Sequence, residues 1–237
     1  MTTAIEPGGV CEVWRPGCLP YCEAWALQQR LAAARGQDET PDRLLLLEHP
    51  PVYTTGSAAQ PAHVLWTAQE MAARGIELVA TNRGGDVTWH GPGQLVGYPI
   101  LRLPRRAQAP RLDVHGYLRR LECVLVRTLL DYGIEAATRP GRTGVWVGDA
   151  RGERKLAAIG VRVTARAVTL HGFALNVCNA LDWYEGIVAC GIRGHGVSSM
   201  VVETGAALTV AEVSARLAGH FGAVFECKML EGEGVLT

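Results

Sequence analysis

Apolar residues recur along the chain at the spacing of about 3.6 positions that predicts helices. The first such segment covers residues 21–36, and the longest covers residues 114–133, with Asp113 placed to cap its first turn. Two more helices are expected to begin at Thr67 and Thr209, because a glutamate follows each threonine three positions later, which is the spacing of a capping box. The pattern thus predicts helices along the whole chain.

Short apolar segments between these helices are typical of strands. The segment "DRLLLLEHPPVYTTG", which starts at residue 42, contains a run of leucines that predicts a buried strand, and Pro50 and Pro51 are expected to end it. Further strands are expected at residues 144–149, 155–163 and 168–177, which lie between turn signals. Residues 86–100, with "GPG" in their middle, are predicted to form a hairpin.

Hairpins that alternate with separate helices predict an α+β fold, in which a mixed, largely antiparallel sheet is flanked by helices. This order of elements disfavours a doubly wound Rossmann fold. The 237 residues contain no internal repeat and no long linker, so we expect one domain over residues 1–237 that begins with a flexible stretch in residues 1–10.

Composition and charge narrow the range of partners. The formal net charge is zero, so the basic surface expected of a nucleic-acid-binding protein is missing. No apolar run approaches the length of a membrane-spanning helix, and the seven cysteines form an odd set without a C-x-x-C pair. We therefore expect a cytoplasmic protein with reduced thiols that binds neither nucleic acid nor membrane. One local group of arginines is either a solvated loop or a surface for an acidic partner: Arg102, Arg105, Arg106 and Arg111.

The stretch "RGGDVTWHGPGQ", residues 83–94, concentrates four glycines. It matches no phosphate-binding motif, and it leads into a predicted strand where a phosphate site needs the N-terminus of a helix. The seven histidines show no metal-binding spacing, so we expect neither a nucleotide cofactor nor a metal. Two interpretations stay open: the glycines either let a ligand lie against the backbone or serve the turn, and His90 either orients a substrate carbonyl or bonds across that turn.

Lys155 is unusual because it and Lys228 are the only lysines among 23 basic residues. Arginine does not give up its proton in a protein, whereas a desolvated lysine does so and can act as a base. Period-two alternation places Lys155 on the apolar face of the predicted strand 155–163. Lys155 is therefore a candidate base, unless its side chain extends into the adjacent polar turn.

Cys190 is followed by three glycines within six positions, in "CGIRGHG". Such a neighbourhood exposes the sulfur and leaves backbone N–H groups for an oxyanion, although a buried structural cysteine is the other interpretation. Gly160, Gly172 and Ala174 are small residues on neighbouring predicted strands. They either leave a groove for an alkyl chain or permit close packing.

Six segments taken together resemble the octanoyltransferase family of lipoate biosynthesis: "LLLLEHPPVYTTG", "RGGDVTWHGPGQLVGYPI", "GRTGVWV", "RKLAAIGVRV", "LHGFALNV" and "CGI". They occur in the family's order from about residue 20 to about residue 225. The resemblance implies a fold like the catalytic domain of biotin and lipoate protein ligases. It also implies a monomeric enzyme without a cofactor that moves an octanoyl group from acyl carrier protein to a lysine of lipoyl domains, in 2-oxoacid dehydrogenase complexes and in the glycine cleavage H protein.

The resemblance also assigns residues. Cys190 corresponds to the family's nucleophile and Lys155 to its paired lysine, which would take the thiol proton before the thiolate attacks the octanoyl thioester. Backbone N–H groups near Gly191, or of Gly84 and Gly85, would stabilise the oxyanion. Ala189 departs from the proline that many members have before the cysteine. The family's substrate contacts map onto Arg83, Gly84, Gly85, Asp86, Val87, Thr88, Trp89, His90, Ala158, Ile159, Gly160, Gly172, Phe173 and Ala174.

Two other functions remain as alternatives. An ATP-dependent lipoate or biotin protein ligase would use the same fold without needing Cys190. A non-catalytic module would only bind carrier proteins or acylated domains. The presence of both Cys190 and Lys155 argues against the module.

Overall fold

The computed structural model describes residues 9–104, 112–149, 152–191 and 195–232. The expected flexible stretch at residues 1–10 therefore lies almost entirely outside the described residues, as do Arg105, Arg106 and Arg111 of the arginine group. Within the described ranges, no helix combines the length and the apolar character that crossing a membrane requires.

The described residues form twelve strands and five α-helices. The strands are β1 (Val10–Cys18), β2 (Asp42–Glu48), β3 (Val52–Thr55), β4 (Glu77–Ala80), β5 (Thr88–His90), β6 (Gln94–Ile100), β7 (Ala137–Arg139), β8 (Arg142–Asp149), β9 (Gly152–Val163), β10 (Thr169–Asn176), β11 (Gly196–Val197) and β12 (Lys228–Glu231). The helices are α1 (Tyr21–Gly36), α2 (Ala68–Ala73), α3 (Val114–Leu130), α4 (Met200–Thr204) and α5 (Val210–Phe225). Short 3₁₀ helices are found at Pro61–His63, Asp182–Gly186 and Ala189–Gly191.

Nine of the described strands form one sheet, in the order β12-β1-β2-β6-β10-β9-β8-β7 with β11 beside β9. β1 runs parallel to β2 and β12, and β11 runs parallel to β9. The other pairs of this sheet are antiparallel. β3 lies between β4 and β5 in a separate three-stranded sheet. The predicted α+β class with a mixed, largely antiparallel sheet is confirmed.

The large sheet carries helices on both faces. α3 and α5 pack together in the larger apolar core on one face, and α1 packs into a second apolar cluster on the other. The leucines of β2 alternate between them: Leu44 and Leu46 belong to the first cluster, and Leu45 and Leu47 to the second. The run of leucines is uninterrupted because both faces of β2 are buried.

The four predicted helices are present, and their ends follow the local signals. α1 spans the predicted residues 21–36, and the Asp113 side chain caps α3 by accepting a hydrogen bond from the backbone N–H of Gly116. Capping boxes form at both Thr67 and Thr209. The structure also contains β1, β3, β4, β7, β11 and β12, which the sequence analysis did not predict.

The predicted hairpin over residues 86–100 is wrong. β5 pairs with β3 in the small sheet, whereas β6 lies between β2 and β10 in the large sheet. The "GPG" segment still turns the chain, with the Gln94 N–H donating to the Gly91 carbonyl over 3.2 Å. Gly93 has a φ of +81°, and its N–H donates to the Glu48 carboxylate over 2.7 Å. At this turn, which is bonded to the end of β2, the chain passes from the small sheet into the large one. β5 and β6 therefore belong to different sheets and do not pair.

Candidate active site

A cavity of about 550 Å³ is lined by strands of the large sheet, by the glycine-rich stretch and by the beginnings of α1 and α3. Val87 and Trp89 are buried instead in an apolar cluster beside the small sheet, because alternate residues of an extended segment face opposite sides. The other described side chains and glycines predicted for the site all line the cavity: Arg83, Gly84, Gly85, Asp86, Thr88, His90, Lys155, Ala158, Ile159, Gly160, Gly172, Phe173 and Ala174.

Gly160 and Gly172 stand where neighbouring backbone comes very close. A Cβ on Gly160 would lie 2.7 Å from the carbonyl oxygen of Gly84, and one on Gly172 would lie 2.1 Å from the carbonyl oxygen of Gly97. Real side chains do not tolerate such distances, so close packing requires glycine at both positions. Both glycines also line the cavity.

Arg83 links the glycine-rich stretch to the small sheet. Its guanidinium donates to the hydroxyl of Thr54 in β3 over 2.9 Å and to the Thr54 carbonyl over 2.5 Å. The next residue, Gly84, donates its N–H to the carbonyl of Val161 in β9 over 3.0 Å. Together these bonds hold the stretch against β3 on one side and β9 on the other.

Three buried histidines and two tyrosines pack together at one end of the cavity, and we call them the histidine cluster: Tyr21, His49, His90, Tyr98 and His171. Burial lowers the pKa of His49 and of His171 to about 4. Burial, and then the neighbouring His49, hold the pKa of His90 well below its ordinary value. All three imidazoles are therefore neutral at pH 7.

His90 contacts its neighbours through both its ring face and its nitrogen. Its ring stacks on Tyr21 with centres 5.9 Å apart, and its Nδ1 contacts Oε1 of Gln94 at 2.8 Å across the turn. The hydrogen bond across the turn, one of the two interpretations from the sequence, is therefore present. His90 also lines the cavity.

The histidine cluster and Lys155 lie at opposite ends of the cavity. His171 pairs with Val161 across β10 and β9, and Lys155 lies toward the beginning of β9, roughly 20 Å away at about 3.3 Å per residue. Sequence spacing pointed to neither His49 nor His171, because contacts between segments that are distant along the chain bring them to His90. Across the described residues, no group of three or more His, Cys, Asp or Glu side chains is arranged to hold a metal ion.

Lys155 is buried in β9, with 7% of its surface exposed. Its Nζ lies 4.6 Å from the centre of the ring of Trp146, its partner residue in β8, at a distance typical of a cation–π contact. The side chain lines the cavity, so it does not extend into the polar turn that precedes β9.

The backbone of Cys190 lies in the 3₁₀ helix Ala189–Gly191, and its side chain lies outside the described part of the structure. Gly191 has a φ of +68°, and a Cβ there would lie 2.6 Å from Oδ2 of Asp86. Since Asp86 lines the cavity, the residue after Cys190 contacts the cavity wall.

Two of the backbone amides that the sequence offers as oxyanion donors already have partners. The Gly84 N–H donates to the Val161 carbonyl, and the Gly191 N–H donates to the Val188 carbonyl over 2.9 Å. Gly85, whose φ is +87°, remains as the donor candidate among the three.

Asp86 forms a hydrogen-bonded pair with His63 that sequence reasoning missed. Nδ1 of His63 contacts Oδ2 of Asp86, while the N–H groups of Val87 and Gln60 donate to Oδ1 over 2.7 Å and 3.3 Å. His63 and Asp86 are 23 positions apart and no motif links them, so nothing in the sequence signals the pair.

Solved structures with this fold include lipoate and biotin protein ligases. A bi-partite lipoate protein ligase of Thermoplasma acidophilum superimposes with a TM-score of 0.65 over 95% of this chain and 86% of its own, at 18% identity. Lipoate-protein ligase A bound with ATP gives 0.64 over 95% and 88%, at 15% identity. A biotin protein ligase of Aquifex aeolicus gives 0.52 over 91% and 70%, at 9% identity. At these identities the likeness concerns the fold alone, and it confirms the expected architecture.

Relatives in sequence are closer. An octanoyltransferase of Rubrobacter xylanophilus is 47% identical over 87% of this chain and 89% of the relative. One of Chloroflexus aggregans is 46% identical over 91% of this chain and 95% of the relative. The family model of the lipoyl protein ligase A/B catalytic domain matches residues 20–222. The chain therefore belongs to the lipoyl protein ligase A/B catalytic-domain family and, within it, to the octanoyltransferases.

Proposed function

We propose that the protein transfers an octanoyl group from octanoyl-acyl carrier protein to a lysine of a lipoyl domain, through a thioester on Cys190. One observation carries this proposal. Lys155 lines the cavity, and another lining residue, Asp86, lies against the residue that follows Cys190. This arrangement supports a site in which a nucleophile, a base and an acyl pocket lie together.

The first half-reaction loads the enzyme. Lys155 Nζ accepts the proton of the Cys190 thiol, and the thiolate attacks the carbonyl carbon of the octanoyl thioester. A new carbon–sulfur bond forms to Cys190 as the bond to the carrier's sulfur breaks. The carrier leaves as a thiol after taking the proton from Lys155, so charge and protons balance without a further reactant.

The second half-reaction delivers the acyl group. The neutral amine of the acceptor lysine attacks the Cys190 thioester, a carbon–nitrogen bond forms, and the bond to the Cys190 sulfur breaks. Lys155 passes the proton lost by the amine to the sulfur, which restores the thiol. Exchange of one thioester for another is near balance and conversion of a thioester to an amide is downhill, so the cycle needs no nucleotide and no metal.

The acyl tail is selected by burial. Leu118, Ile159, Val161 and Phe173 supply apolar surface to the cavity. Each buried methylene contributes about 0.8 kcal/mol, so an octanoyl chain gains on the order of 5 kcal/mol. A shorter chain leaves part of this surface without a partner and binds more weakly.

The acceptors in this proposal are the lipoyl domains of 2-oxoacid dehydrogenase complexes and the glycine cleavage H protein. The solved ligase of T. acidophilum was described together with its E2 lipoyl domain, which supports an acceptor of this kind for the shared fold. We further propose that the protein works as a cytoplasmic monomer that requires neither nucleic acid nor membrane.

The test is intact-mass spectrometry after incubation with octanoyl-acyl carrier protein and no ATP. The native protein is expected to gain one octanoyl group, and a lipoyl domain added afterwards is expected to remove it. Cys190→Ser should not form the thioester adduct. Cys178→Ser is the matched control, because Cys178 is an exposed free cysteine after β10, and it should be loaded like the native protein.

The same experiment distinguishes the alternatives. If acylation of the lipoyl domain needs free octanoate and ATP, the protein is a ligase. If it binds the carrier without any transfer, it is a binding module. A thioester adduct that persists on Cys190→Ser would place the nucleophile on another cysteine.

A further inference from the structure

His63 and Asp86 form a largely buried pair at the cavity wall. Their side chains are 12% and 9% exposed, and Nδ1 of His63 contacts Oδ2 of Asp86. Because a carboxylate can only accept hydrogen bonds, the proton of this bond lies on Nδ1 of the imidazole. With Gln60 and Val87 donating to Oδ1, the Asp86 carboxylate is held by donors from two segments of the chain and has little freedom to rotate.

The carboxylate held in this way lies directly against Gly191. A Cβ on Gly191 would be 2.6 Å from Oδ2 of Asp86 and 3.2 Å from Cε1 of His63. The closeness of both side chains to one backbone position shows that the pair packs on the turn that contains Cys190, and that only glycine fits there.

The same turn is hydrogen-bonded to the backbone around His63. The Val188 N–H donates to the His63 carbonyl over 2.8 Å, and the Leu65 N–H donates to the Gly186 carbonyl over 2.8 Å. Val64 and Ile187 form an antiparallel bridge between these two bonds. The segment that leads into Cys190 is therefore docked on residues 63–65 through its backbone, and at Gly191 through side chains.

We propose that the His63–Asp86 pair is a positioning device that holds the Cys190 turn against the cavity. This inference rests on the proposed function, because it takes Cys190 as the nucleophile. His63 acts through Asp86: of the two, Asp86 lines the cavity, whereas His63 is not among the described residues of its wall. His63 is thus a positioning residue whose imidazole fixes the carboxylate, and the carboxylate fixes the backbone next to the sulfur.

Single-turnover acylation by octanoyl-acyl carrier protein tests the proposal. His63→Ala should lower the maximal rate of thioester formation by about 10- to 100-fold, as expected for a slightly misplaced nucleophile. The carrier concentration at half-maximal rate should change much less, since the acyl pocket is intact. His63→Asn should recover most of the lost rate, because its amide N–H can replace Nδ1 as the donor to Asp86.

His220→Ala is the matched control. His220 also pairs with an aspartate, Asp131, at 2.9 Å, but on the partly exposed surface of α5 away from the cavity. Its removal should leave the acylation rate unchanged. Thermal unfolding of each variant should show that the loss of rate in His63→Ala exceeds any loss of folded protein at the assay temperature.

Three results would overturn the inference while leaving the proposed function standing. Acylation of His63→Ala at the native rate would remove any role for the pair. His63→Asn as slow as His63→Ala would make the imidazole itself a proton carrier. A change confined to the half-maximal concentration would make the pair a binding element. If His63→Ala does not fold, the comparison of His63→Asn with native protein decides alone. If even the native protein forms no adduct on Cys190, the proposed function fails instead.

Discussion

The two ends of the cavity handle buried ionisable groups in opposite ways. In the histidine cluster, burial keeps three imidazoles neutral, and each has a polar contact: His49 with Tyr98 at 2.7 Å, His90 with Gln94 at 2.8 Å and His171 with Asn82 at 2.8 Å. At the other end, Lys155 lies against the ring of Trp146, with its amine in the cavity wall. The first end is a fixed neutral surface, and the second presents a group able to carry a proton.

This difference suggests that the two ends of the cavity have different roles. A neutral, hydrogen-bonded end can be packed tightly, because no group in it changes charge near pH 7. A reacting end must exchange protons, and a lysine can do so where an arginine cannot. The predictions below test whether chemistry depends on the lysine end and stability on the histidine end.

The largest effect is expected at Lys155. Lys155→Arg keeps a long basic side chain but removes the amine that would accept the proton of the Cys190 thiol. The rate of acyl transfer should fall by about 10²- to 10⁴-fold, the usual contribution of a general base. The rate of thioester formation on Cys190 measures this directly.

Lys228→Arg provides the control for that experiment. Lys228 is the other lysine of the chain and lies exposed in β12, away from the cavity. Its replacement should not change the rate. Native turnover in Lys155→Arg would show that Lys155 is not the base. The Lys155 end of the cavity would then not be the end at which protons are exchanged.

Local features of this protein could be predicted from the sequence because their causes are local. Capping at Thr67 and Thr209 depends on a residue three positions away, and the buried strand at residues 42–48 follows from its run of leucines. Lys155 could be singled out because the alternation around it is regular and lysine is rare in this chain. Family resemblance then supplied the roles that such patterns leave open.

Features that depend on the order of the strands could not be predicted in this way. The stretches on either side of "GPG" have the alternation of a hairpin, yet β5 and β6 belong to different sheets. His49 and His171 come from the large sheet, just after β2 and in β10, whereas His90 ends β5 of the small sheet, and they meet only in the folded protein. Sequence spacing carries no information about either, since both are set by contacts between distant segments.

The next largest effect is expected from acid. His49 and His171 have a pKa of about 4 in the folded protein and an ordinary value of 6.5 when exposed, so the unfolded chain binds more protons between these values. The free energy of unfolding should therefore be highest above pH 6.5 and decrease as the pH falls toward 4, by up to about 1.4 kcal/mol per pH unit for each histidine. Urea unfolding at a series of pH values measures this slope.

His171→Asn separates the histidines from other acid effects. Asparagine tolerates the positive φ of 56° at this position but does not titrate, so the slope should become shallower than in the native protein. His115→Asn, at an exposed position of α3, should leave the slope as it is. An identical slope in His171→Asn and the native protein would mean that folding does not lower the pKa of His171. The histidine cluster would then not be the neutral surface described above.

The smallest effect is expected where the histidine end meets the sheet, at Gly172. Gly172→Ala would place a methyl group 2.1 Å from the carbonyl oxygen of Gly97, so β10 and β6 must shift apart. The free energy of unfolding should fall by about 1–3 kcal/mol, as for other overpacked sites.

Gly219→Ala is the opposite case, because nothing lies within 4 Å of a Cβ there in the middle of α5, and alanine should stabilise the helix by about 0.5–1 kcal/mol. If urea unfolding gave the same change in unfolding free energy for both variants, the close backbone contact of β10 with β6 at Gly172 would not stabilise the histidine cluster. A loss of unfolding free energy in Gly172→Ala alone, with Cys190 still acylated in the folded fraction, would show that the histidine cluster supports the fold. The chemistry would then depend on the other end of the cavity, at Lys155.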